Sequence, residues 1–187
     1  MSDTSPTQNS QPALIRLSYN GDVIPNPSGN VNSVIRLLCS SACLSHGSLV
    51  FRAMFAPDHF AEGEDLSSIS LPTIPLPDDD PDAIYRLCKI LHFDMDIADC
   101  TEPIEPTGLL DVEQNGRFAD FAIVCDKYDC RKTAMPWIMA YFPLALHRSQ
   151  QIGIEKLLFV TYVLELPKEF QETEAQSTFS LLCTAQT

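Results

Sequence analysis

Positive charge is scarce in this chain: twelve Lys and Arg stand against 25 Asp and Glu in 187 residues, a formal charge of −13. The cations are scattered rather than clustered, so a phosphate backbone or an anionic membrane surface meets net repulsion, and neither nucleic acid nor membrane is an expected partner. Long apolar runs are missing too. Stretches such as LLFVTYVLEL at 157–166 are too short to cross a bilayer. The opening residues, MSDTSPTQNSQP, carry neither a basic start nor an apolar core, so no secretory signal is read there. Residues 1–12 are expected to be a disordered tail, and the protein to be intracellular, in cytoplasm and/or nucleus.

Catalytic signatures are equally thin. There is no G-x-S-x-G elbow and no Gly-rich phosphate loop, and the four histidines lie in unlike settings. The seven cysteines are odd in number and none falls in a CxxC pair, so no disulfide framework is expected. Cys39, Cys43 and His46, with Cys125 and Cys130 downstream, are the candidate zinc set. Their spacing straddles a proposed strand and helix, which favours buried thiols over ligands. No cofactor is expected. A triad assembled in space leaves no trace in sequence, so a small cysteine-dependent enzyme or metal-binding protein stays open as an alternative.

What is present is a globular composition, 45% hydrophobic and 20% charged, of a length suited to one domain with an appended element. LIRLSYNGDVI alternates Ile15, Leu17 and Tyr19 on one side, and Asn20-Gly21 offers a tight turn, so a hairpin is predicted. Pro25 and Pro27, which cannot donate to a ladder, shorten its returning arm or confine it to an edge. SVIRLLC at 33–39 reads as a short central strand buried on both faces. From Ser41 the period becomes helical, and Gly47-Ser48 divides two short helices. SISLPTIPLP at 68–77 reads as an edge strand.

The acid cluster that follows, Asp78, Asp79, Asp80 and Asp82, lacks the glycine and distal Glu of a calcium loop. Capping explains it instead: Asp80 as N-cap, Pro81 at the first helical position, and Asp82 beside the positive end of the dipole. The helix runs from about Pro81 to Phe93, burying Ile84, Leu87, Cys88 and Leu91, with Arg86 and Lys89 facing water. Residues 94–117 form a long connection with a short turn around Leu109-Leu110. Phe118, Phe121, Ala122, Cys125 and Tyr128 mark an amphipathic helix ending near Asp129-Cys130. Thr133 is the expected cap of the next helix, with Pro136 in its first turn and Pro143 bending or stopping it. A last helix spans roughly Ile154 to Leu166, closed by Pro167, and the remainder is weakly patterned. Strands first and helices after make an α+β arrangement.

Taken in order, CSSACLSHGSLVFRAMF, FAEG, IPLPDDDPDAIYRLCKILHF and FAIVCDKYDC resemble the BTB/POZ domain, especially the single-domain versions abundant in filamentous fungi. The resemblance covers about residues 13–148, with an insertion at about 94–117 and a C-terminal helical extension over 149–187. It implies a small mixed sheet flanked by a helical cluster, with an extra C-terminal helix, acting as a non-catalytic protein-interaction module. It further implies two activities. One is docking on a cullin scaffold as a ubiquitin-ligase substrate adaptor, through a hydrophobic-x-Glu motif matched by Phe60, Ala61 and Glu62. The other is homodimerisation through an N-terminal strand, which Ile15, Leu17 and Tyr19 would supply. A homodimerising scaffold or transcription-associated protein without cullin binding is the alternative within this reading. The short polar start and the PNPSGN interruption depart from the strongly dimeric pattern. No kelch repeat, zinc finger or MATH segment accompanies the domain, so client recognition would fall to the insertion or the C-terminal helix.

Overall fold

The computed structural model describes residues 14–27, 36–57, 60–66, 71–95, 110–149 and 153–184. The predicted tail at 1–12, and most of the predicted connection, lie outside the described residues. Four short strands come first: β1 (Leu14–Arg16), β2 (Ile24–Pro27), β3 (Arg36–Leu38) and, after three short helices, β4 (Thr73–Leu76). The helices are α1 (Ser41–Gly47), α2 (Leu49–Met54), α3 (Ala61–Asp65), α4 (Pro81–Leu91), α5 (Leu110–Lys127), α6 (Arg131–Ser149), α7 (Ile154–Val163) and α8 (Pro167–Thr184). The arrangement is α+β.

The strand pairing departs from expectation. β1 pairs in parallel with β3, and β2 in parallel with β4. The turn at Asn20-Gly21 does reverse the chain, but β3 lies between its two arms: the Leu17 N–H reaches the Leu38 carbonyl at 3.0 Å, and Val23 and Cys39 form an antiparallel bridge. No β1–β2 hairpin forms. The physical reason is burial. Leu37 and Leu38 are the most apolar pair in this region and are sealed when a chain lies on either side of them. Gly21 makes the crossing feasible, because any Cβ there would collide with the Leu38 side chain. The predicted small mixed sheet is thus two parallel pairs joined at one antiparallel bridge. β4 alternates as expected, with Thr73 and Pro75 outward and Ile74 and Leu76 buried.

Serines set the helix starts. Ser40 caps α1 by accepting from the Cys43 N–H, and Ser48 ends α1 while capping α2. Asp80 Oδ1 accepts from the Ala83 N–H at 2.8 Å with Pro81 first in α4, as the capping chemistry requires. Ala83, Ile84, Leu87, Cys88, Ile90 and Leu91 are buried on α4, which packs on α5; Arg86 and Lys89 are half-buried rather than free in water.

Three boundaries differ further down the chain. α5 begins at Leu110, so the predicted connection ends eight residues early, by the difference between 110 and 118. Thr133 lies within α6 instead of capping it, and its hydroxyl donates to the Gly47 carbonyl at 2.9 Å. Pro136 and Pro143 interrupt neither end of α6. Both are exposed, as are Lys132 and Met139, four residues before each, so the two helical bonds that are lost lie on the outer face of α6. Pro167 opens α8 rather than merely closing α7, its missing N–H harmless at a first helical position. The C-terminal extension therefore holds two helices.

α5 buries Phe118, Phe121, Ala122, Val124 and Cys125, with Tyr128 just beyond it; α6 contributes Ala134, Ile138, Phe142 and Ala145, and α7 contributes Leu157, Val160 and Thr161. One contiguous core results. Among the described residues, three non-glycine positions after helix ends are left-handed: Phe93 (φ 56°), Asp129 (φ 47°) and Glu165 (φ 56°). Asp tolerates this region and Glu165 is held by an ion pair to Arg131 at 2.8 Å, but Phe93 is 85% exposed and has no such compensation. Phe93→Gly is expected to raise stability in urea unfolding by about 1 kcal/mol. An unchanged or lower stability would contradict this view of the turn.

Candidate functional site

The region predicted to bind partners is built on the end of α2 and on α3. Phe51 points inward from α2, stacking on Tyr128 with ring centroids 4.5 Å apart and on Phe55 at 5.7 Å. Arg52 lies on the outer side and folds back, its Nε donating to the Ser45 carbonyl at 3.0 Å. α3 then begins at Phe60, an extended N-cap residue without a side-chain cap, whose carbonyl accepts from the Gly63 and Glu64 N–H groups. Glu62 and Glu64 lie in the first turn, where carboxylates suit the dipole. Gly63 is buried against the Ala56 carbonyl, with no room for a Cβ, and this close approach fixes α3 to the end of α2.

The consequence for the motif residues is direct. Phe60 is 54% exposed, Ala61 is exposed and Glu62 is half-buried. Phe60 is thus a large aromatic left out of the core in a chain that buries Phe51, Phe55, Phe118, Phe121 and Phe142. Leu49, at the start of α2, is 55% exposed.

The other predicted surface is partly dispersed. β1 ends at Arg16, so the alternation does not carry through: Ile15 and Tyr19 are exposed, while Leu17 is half-buried against the core with its N–H turned into β3. Leu14 joins Ile15 as an exposed apolar residue on this short strand, which among the described residues pairs with β3 alone.

The acid cluster divides. Asp80 caps, Asp78 is exposed, and Asp82 makes a loose ion pair with Arg117 at 4.0 Å. Asp79 does something the capping rules do not cover: it is buried, accepting from Lys127 Nζ at 2.8 Å and from the Tyr128 hydroxyl at 2.6 Å. Burial, and then Asp79 itself, push the Tyr128 phenol well up, so it stays a donor. From another element, 80 positions away in sequence, the Ser48 hydroxyl donates to the Tyr128 carbonyl at 2.5 Å while accepting from the Phe51 N–H at 3.1 Å. A buried tyrosine needs a partner for its hydroxyl, which is the one signal in the sequence that pointed to such an acceptor.

Of the proposed zinc ligands, Cys125 and Cys130 touch each other, but the five do not gather into one set among the described residues. Cys39, Cys125 and Cys130 are buried, Cys43 is half-buried and His46 is exposed. A hydrogen bond with Cys39 and burial raise the Cys88 thiol well above its ordinary value, and burial followed by Cys130 does the same for Cys125. A thiol held neutral in this way is a weak nucleophile. Among the described residues, no three His, Cys, Asp or Glu side chains converge as a metal ion requires, and no helix is long and apolar enough to cross a membrane.

Comparison with protein-family models gives no match, and neither does comparison with the curated proteins.

Ser48→Ala removes a buried cap and orphans the Tyr128 carbonyl at once. We expect a loss of about 2 kcal/mol in chemical denaturation, against about 1 kcal/mol or less for Ser40→Ala, whose cap is only partly buried. Equal losses would show that the Tyr128 bond contributes nothing.

Proposed function

We propose that the chain is a non-catalytic protein-interaction module of BTB/POZ type, with Phe60, Ala61 and Glu62 as its principal docking element. The observation that carries this reading is Phe60: an aromatic side chain 54% exposed at the mouth of a short helix that is itself locked in place through Gly63. An apolar anchor with a carboxylate two residues on, held on a rigid support, has the chemistry of an interface hot spot. The partner class we infer is a cullin scaffold, with the protein acting as a ligase adaptor.

The test is direct binding between the purified chain and a cullin N-terminal region, by calorimetry. Phe60→Ala is expected to weaken binding by at least about tenfold, and Glu62→Ala by less, since truncating a central aromatic costs 2 kcal/mol or more in order of magnitude. Absence of binding by the wild type would sink the adaptor reading.

A homodimer is a second reading, favoured by Leu14 and Ile15, which are exposed on β1 at 40% and 38%. A short strand bearing exposed apolar side chains suits pairing with a second copy. Light scattering over a hundredfold or so concentration range should then report twice the 20.8 kDa chain mass, reduced to one mass by Ile15→Lys. A constant single-chain mass for the wild type would retire it.

A further inference from the structure

His92 ends α4, and its ring reaches from there to the start of α1. Nε2 accepts from the Ser40 N–H at 2.8 Å, and Nδ1 lies 2.7 Å from the Cys88 carbonyl. Neither contact leaves a choice of tautomer. A backbone N–H only donates and a carbonyl only accepts, so Nδ1 carries the proton and Nε2 is bare. The bond to Ser40 spans 52 positions of sequence and joins the residue that caps α1 to the C-cap of α4.

We propose that His92 is a proton-operated clasp between α1 and α4, closed by the neutral ring and opened when the ring is protonated.

A proton on Nε2 would point at the Ser40 N–H, setting two donors face to face with no acceptor between them. The ring must then leave, and the Ser40 N–H loses its partner. The charged groups around the ring define where it goes. On its own side the Asp94 carboxylate follows α4; from the loop before β2 comes Asp22, which accepts from the Ser41 N–H at 2.6 Å and the Ser41 hydroxyl at 2.7 Å. The Cys88 thiol beneath is held neutral. Burial lowers the affinity of the closed ring for a proton and outweighs the pull of the Cys88 carbonyl, Asp94 and Asp22 in the other direction. An imidazolium released toward water keeps those two carboxylates within reach, and Asp22 would then share its oxygens between Ser41 and the ring. Opening therefore loosens the first turn of α1 and the Asp22 loop together.

The sign follows from the lowered value. The unfolded chain takes up the proton first, near the ordinary imidazole value of about 6.5, so the clasp's contribution is complete above that pH. It is lost as pH falls through the lowered folded-state value.

The experiment is amide hydrogen exchange by NMR on the full chain, wild type and His92→Gln, at pH 7.5 and 5.5, corrected for intrinsic rates. A glutamine oxygen accepts where Nε2 does but takes up no proton at these pH values. Wild-type protection at Ser40 is expected to fall by up to about tenfold per pH unit between about pH 6.5 and the ring's lowered midpoint, and not to fall in the variant. Should His92→Gln fail to fold, the wild-type ring titration decides: a midpoint below about 6.5, coincident with a shift of the Ser40 amide, is the expected result. Ser40 protection independent of pH in the wild type, an equal fall in the variant, or a ring midpoint at or above 6.5 or so would overturn the proposal.

Discussion

The structure depends on one buried carboxylate. Asp79 closes the strand-bearing half of the chain onto the helical half, receiving Lys127 from the last turn of α5 and the Tyr128 hydroxyl from just past it. A buried carboxylate left with one partner would be costly, and with two charge-assisted bonds it is satisfied. The lysine is 44% exposed, so its pairing is screened and weak on its own; the phenol, sealed in the core, carries the greater share. Tyr128 then passes the constraint on. Its ring stacks on Phe51 and its carbonyl holds Ser48, so α2 is fixed by the same residue that satisfies Asp79.

That chain of contacts explains what is left outside. With Phe51 and Phe55 turned inward, α2 shows Leu49, Arg52 and Ala53 to solvent, and α3, held against Ala56 through Gly63, shows Phe60. The core is complete without these side chains. They are available to a partner because the packing around Tyr128 does not need them, and large apolar groups that folding leaves exposed are where partners are sought.

Local chemistry was legible in the sequence and distant pairing was not. Asp80 was read as a cap because its partner lies three residues away, and the burial of Phe118, Phe121, Ala122 and Cys125 follows from spacing along one helix. The β3 strand could be placed, yet its neighbours could not, because pairing is decided by which arm best covers Leu37 and Leu38. Asp79 and Asp80 are adjacent aspartates with opposite fates, and what separates them is a tyrosine 49 positions away in sequence. Thr133 carried a good cap residue's chemistry but found the Gly47 carbonyl instead. The α8 helix was missed because its apolar residues lack a clear period. For the candidate site, Phe60, Ala61 and Glu62 could be named from the chain, whereas the exposure of Phe60 depends on how α2 and α3 meet.

The claim that Asp79 and Tyr128 form the central joint is tested most directly by a double-mutant cycle. Unfolding free energies of the wild type, Asp79→Asn, Tyr128→Phe and the double variant give the coupling between the two side chains. A buried bond between a phenol and a carboxylate predicts a coupling of about 1.5–3 kcal/mol. Additive losses, with coupling below about 0.5 kcal/mol, would contradict it.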